Sequence, residues 1–158
     1  MGQNILLETE MAFDTLCAAL DERRWYYDKD KEQFKLNVKA NGQDLFMELD
    51  ICCDRDKRIV TLISHLPFTV PEERRVEMAQ AISYVNAYLG EGSFDYHYKK
   101  GLLCYRMASS YRGSVLSRAA FDRMIMMSFS TVDQYNDKLL LYSLGSISLG
   151  EFVKKIGT

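Results

Sequence analysis

The chain has 158 residues, 47% of them hydrophobic and 27% charged, with 20 basic side chains against 22 acidic ones for a formal net charge of −2. One domain takes about 100–200 residues, and a chain of this length buries about 68–70% of its unfolded surface, so a full core is expected without disulfides or a metal. The charge balance and a pI near 5.7 lack the basic excess of a nucleic-acid binder.

The pattern opens with a helix over about Ile5–Asp21, where Leu6, Phe13, Leu16, Cys17 and Leu20 fall on one stripe. The period then drops to two. Trp25–Asp28 reads as a strand. Phe34, Leu36 and Val38 alternate with Lys35, Asn37 and Lys39, and Asn41-Gly42 signals a hairpin. Leu45, Met47, Leu49 and Ile51 alternate on its far side, and a charged turn at 54–57 precedes an apolar run, Ile59–Leu66. These strands form an antiparallel meander with one half-polar face toward water.

Pro71 suits the first position of a second helix, with Glu72 and Glu73 at its positive end. Met78, Ala81, Ile82, Val85 and Leu89 make its buried stripe, and Gly90 or Gly92 ends it. A second hairpin follows, with Phe94, Tyr96 and Tyr98 on one arm, a turn at Lys99-Lys100-Gly101, and Leu103, Tyr105 and Met107 on the other. Helical spacing returns over about Leu116–Leu144, until Gly145 breaks it, and Leu149–Ile156 forms a last short helix. Both prolines fall at one junction and no linker interrupts the chain, so residues 1–158 read as a single α+β domain.

Chemistry-bearing motifs are few. Gly90-Glu91-Gly92 lacks the third glycine and the strand-to-helix order of a dinucleotide loop. The stretch from Gly145 to Gly150 is one residue too long for a nucleophile elbow and follows a helix; it reads as a helix break with a serine cap. Asp28, Asp30 and Glu32 lack the glycine and distal glutamate of a calcium loop. Cys17, Cys52, Cys53 and Cys104 match no zinc spacing. They read as buried, reduced thiols that fit the cytoplasm. The first ten residues lack a basic signal-peptide start, and no apolar run approaches the ~20 residues of a membrane span. His65 and His97 leave a Cys-His enzyme as a remote alternative. No catalytic residue, cofactor, metal or small-molecule substrate is assigned.

Met124-Ile125-Met126-Met127-Ser128-Phe129 is apolar on more than one side of its helix. Such a helix needs cover on more than one side, from the chain's own core or from a partner. Met124, Met126, Met127 and Phe129 are therefore the candidate partner-binding residues, methionine being common at adaptable binding surfaces. Lysine at 126 and 127 is expected to abolish association and leave the fold intact.

The ordered set of Leu66-Pro67, Val70-Pro71-Glu72, Val85-Asn86, Gly92-Ser93-Phe94, Tyr105-Arg106 and Asp133-Gln134-Tyr135 resembles the YbjN-domain family, bacterial proteins once labelled sensory transduction regulators. Asn86, Gly92 and Phe94 are its most family-like positions. The resemblance spans most of the chain and implies a fold similar to the class I type III secretion chaperones, which pair as homodimers and bind unfolded segments of secreted proteins. It supplies no catalytic residues. The expectation is a non-enzymatic cytoplasmic protein that binds a protein partner by burying apolar surface, without nucleic acid or membrane. The alternative is a regulatory homodimer without a client.

Overall fold

A stripe of helix-period residues and two sets of alternating strands have one economical solution: the strands share a sheet and the helices cover its apolar face. The computed structural model, which describes residues 2–157, takes that form. Helix α1 spans Gly2–Glu22, followed by strands β1 (Tyr27–Asp30), β2 (Lys35–Asn41), β3 (Phe46–Asp54) and β4 (Ile59–Thr69). A single 3-10 turn, Glu72–Arg74, leads into α2 (Arg75–Tyr88). Strands β5 (Ser93–His97) and β6 (Leu102–Ser110), then α3 (Arg118–Ser143) and α4 (Leu149–Ile156), complete the chain.

The six strands form one antiparallel sheet in the order β1-β2-β3-β4-β6-β5. Leu36 and Val38, Leu49 and Ile51, Val60 and Leu62, and Leu103 and Tyr105 point into one core with Phe13 and Leu16 of α1, Met78 and Val85 of α2 and Phe121 and Val132 of α3. Helix α3 crosses β3, β4 and β6, α1 lies against α3 and β3, and α2 lies against β5. Among the described residues no helix covers the other face of the sheet. That face carries Lys39–Glu48 (3.9 Å), Arg106–Asp95 (2.5 Å) and Asn37 donating to Glu48 and Asp50 (2.8 and 2.7 Å), as a solvated face should.

Several expected boundaries shift, each for a local reason. The first strand is Tyr27–Asp30 rather than Trp25–Asp28, because Trp25 turns inward to pack on Phe129, ring centroids 4.9 Å apart and planes tilted by 54°. Phe34 stands outside β2 with a left-handed φ of 53°, its ring edge-on to Phe13 at 5.6 Å. β4 runs on through Pro67 to Thr69. Proline cannot donate to the ladder, and the β4–β6 register slips between His65 and Thr69. The β2–β3 hairpin is closed by four residues, 42–45, with Gly42 N–H donating to the Leu45 carbonyl at 3.0 Å, so Leu45 lies in the loop. Gly42 serves close approach: an added Cβ would stand 2.3 Å from Asp133 Oδ1 of α3, which accepts from Gln43 N–H at 2.7 Å. Pro71 precedes the 3-10 turn instead of opening α2. Ser148 caps α4 with Glu151 in a reciprocal capping box.

Candidate functional site

Of the expected partner residues, Met124 and Phe129 are buried in the chain's own core, while Met126 and Met127 are half-buried, Met127 against that core. The physical reason is the central place of α3. One side meets the sheet, α1 lies along another, and Trp25 caps Phe129. The apolar excess is met largely from within, so these four residues do not make an open surface.

An apolar surface that lacks cover lies on α2. Its stripe Met78, Ala81, Ile82 and Val85 faces the core. The opposite side presents Val76, Ala79, Gln80, Ser83, Tyr84, Ala87 and Tyr88, all exposed. Val76 is 62% exposed and Tyr88 63%. Residues 78–90 hold no charged side chain, so about three turns of surface helix offer only apolar, small or uncharged polar groups. Outward helix faces ordinarily carry the charges. Several charges around α2 are already engaged: Arg74 pairs with Glu77 and lies over the Tyr142 ring, Arg75 donates to the Lys99 carbonyl at 2.6 Å, and Arg123 pairs with Glu91 at 2.7 Å. The missed signal was an absence, thirteen positions without a charge, where attention goes to a run of methionines.

The three most family-like positions hold α2 in place. The Asn86 side chain accepts from Phe94 N–H at 2.8 Å and donates to the Phe94 carbonyl at 3.0 Å. The amide thus stands in for a neighbouring strand and closes that point of the β5 edge. The Phe94 ring meets Tyr105 at 5.2 Å and Tyr135 at 5.8 Å, and the Tyr105 hydroxyl donates to the Glu91 carbonyl at 2.8 Å. Gly92 has φ +68°, and a Cβ there would stand 2.3 Å from that hydroxyl. These residues are structural, and what they support is the angle at which α2 shows its outer face.

The thiol alternative gains one geometric feature. Register places His65 of β4 directly opposite Cys104 of β6 on the uncovered sheet face, with His65 Nε2 3.7 Å from Asp50 Oδ2. Burial, followed by the nearby Asp95 charge, pushes the Cys104 thiol up from its ordinary value, the opposite of an activated thiolate. Burial raises Cys17 and Cys52 as well and pushes Cys53 up to about 12. All four thiols are free, and Cys52 and Cys53 face opposite sides of β3. Among the described residues no cluster of three or more His, Cys, Asp or Glu could hold a metal, and no helix is long and apolar enough to cross a membrane.

No protein-family model and no curated protein matches the sequence. A solved structure does match: YbjN from E. coli, a proposed transcription regulator, superposes with a TM-score of 0.59 over 84% of this chain and 92% of that one. The fold is YbjN-like. Identity between the two is 13%, which carries the architecture alone. The YbjN-like frame accounts for the single sheet with helices on one face; what α2 displays is read from this chain's own residues.

Proposed function

We propose that this chain is a non-enzymatic, cytoplasmic protein-binding module that works by burying apolar surface, and that its docking surface is the outer face of α2. The observation that carries the reading is the uncharged stretch 78–90, exposed on a helix whose inner face is already satisfied. Each Å² of apolar surface removed from water contributes about 25 cal/mol. Tyrosine adds broad, amphipathic contact area with little entropy to lose. Chaperone-like action on a client segment is the form this would take if the likeness to secretion chaperones that the sequence resemblance implies extends to function.

A second reading, a homodimer without a client, is favoured by the self-complementarity of the same face. In an antiparallel pair centred at the height of residue 82, Val76 of one copy meets Tyr88 of the other and Gln80 meets Tyr84. No like charges oppose, and Ala79, Ser83 and Ala87 let the two axes approach closely. Light scattering behind a sizing column, with an apolar dye on the same peak, separates the readings. A dimer that binds no dye supports the closed pair. A chain that binds dye supports an open surface awaiting a partner. A monomer that binds none contradicts both.

A further inference from the structure

Helix α1 carries a second exposed apolar surface of a different kind. Leu7 and Met11, one turn apart, are 53% and 50% exposed, and Val115 of the β6–α3 loop is 75% exposed. Met11 and Val115 edge an apolar hollow of about 40 Å³ floored by Ala12, Tyr111 and Leu116, room for the tip of one small side chain. The charges that α1 itself sets beside this patch have one sign. Residues 2–22 hold five acidic side chains and no lysine or arginine. Two of the five are neutralised, Glu8 at the rim of the hollow by Arg58 at 3.4 Å and Glu22 by Arg118 at 3.7 Å. Glu10, Asp14 and Asp21 share one side of the helix at spacings of four and seven, and among the described residues no basic group is within salt-bridge distance of any of them.

From this complementarity we infer that the α1 face receives a basic amphipathic helix of another protein. Its apolar residues at i and i+4 seat on Leu7, Met11 and Val115, one of them entering the hollow, and its lysines or arginines face Glu10, Asp14 and Asp21. A second copy of the chain does not fit, because two such faces would set acid against acid. An anionic membrane or nucleic acid is repelled for the same reason. The surface is separate from α2, and its test does not depend on the α2 reading.

The probe is a fluorescently labelled 18-residue Leu/Lys peptide with leucine at helical spacing, and its Leu/Glu counterpart is the control. The protein binds the first and not the second. Glu10→Lys with Asp14→Lys weakens binding about tenfold, since exposed charge pairs are each worth a few tenths to one kcal/mol and 1.4 kcal/mol is tenfold. Met11→Ser, at an exposed position, weakens binding with little change in melting temperature. Asp28→Lys with Asp30→Lys on β1 removes the same number of acids elsewhere and leaves binding within twofold. Equal loss from the β1 pair would reduce the effect to net charge and overturn the inference. So would equal affinity for the two peptides, no binding of the Leu/Lys peptide, or loss of self-association on reversing Glu10 and Asp14.

Discussion

Helices α1 and α2 both bury one stripe and leave apolar side chains on the other side, yet they surround that exposure differently. On α1, Leu7 and Met11 lie on the side of the helix that carries Glu10, Asp14 and Asp21, none of them in an ion pair among the described residues; on α2, Val76, Tyr84 and Tyr88 lie among alanine, serine and glutamine. Apolar area supplies attraction to almost any apolar partner, and the charges beside it decide which partners are refused. The acidic face refuses its own copy and favours a basic one. The uncharged face refuses nothing on electrostatic grounds and selects by shape, so it suits either a second copy or an uncharged segment. One small fold can therefore present two docking surfaces that do not compete.

The largest effect that breaks the comparison comes from beneath α2. Gly92→Ala puts a Cβ on the Tyr105 hydroxyl at a φ of +68° and should cost about 3 kcal/mol, from backbone strain and overpacking together. Urea unfolding measures the loss. Association through α2 should fall with it, while Leu/Lys peptide binding at α1 survives wherever the chain remains folded. Met126→Lys with Met127→Lys is next. Because Met127 packs on the core, the pair should cost about 2 kcal/mol of stability, as burying an unpaired charge does, and show as a lower melting temperature. A full melting temperature with abolished association would instead return the docking surface to α3.

Asn86→Ala sharpens the contrast at smaller cost. It strands the Phe94 N–H and carbonyl at the β5 edge for about 1–2 kcal/mol. Faster amide exchange should appear at Phe94 and not in α1. The smallest effect at neutral pH is the thiol contribution. Cys53 is pushed from 9.0 up to about 12 by burial, so the folded chain holds its proton where the unfolded chain would lose it. That stability is fully present below pH 9 and is lost as pH rises toward 12, by about 1.4 kcal/mol at pH 10 for one such group. The other buried thiols and tyrosines act in the same direction. The urea midpoint should therefore fall between pH 8 and pH 10 and hold nearly steady between pH 7 and pH 8.

Strand alternation was legible because core residues such as Leu36, Val38 and Leu49 each stand between two polar neighbours, and this survives any error in boundaries. The partner surface was not legible in the same way. Met124-Ile125-Met126-Met127 looks unsatisfied only until α1 and Trp25 are laid against it, and such contacts between distant segments leave no periodic trace. The α2 face hid for the opposite reason. Alanine, serine, glutamine and tyrosine score as neither core nor charge, so an outward face built from them draws no notice. The clamp of Asn86 on Phe94 spans the loop after α2 and needs the backbone path before it can be seen; sequence offered the residue, not its bond.

The central claim is that α2's outer face is where this protein associates, and a single substitution tests it directly. Ser83→Lys places a charge at the middle of that face while improving local helix propensity, so folding should be unharmed. Wild type and variant are run side by side by light scattering with an apolar dye across micromolar concentrations. The account predicts that a wild-type dimer dissociates in the variant at an unchanged melting temperature, with dimer affinity about 100-fold weaker if a buried unpaired charge costs about 3 kcal/mol, or that a dye-binding wild-type monomer binds less dye once the charge is in place. Equal mass and equal dye binding in the two proteins would contradict it.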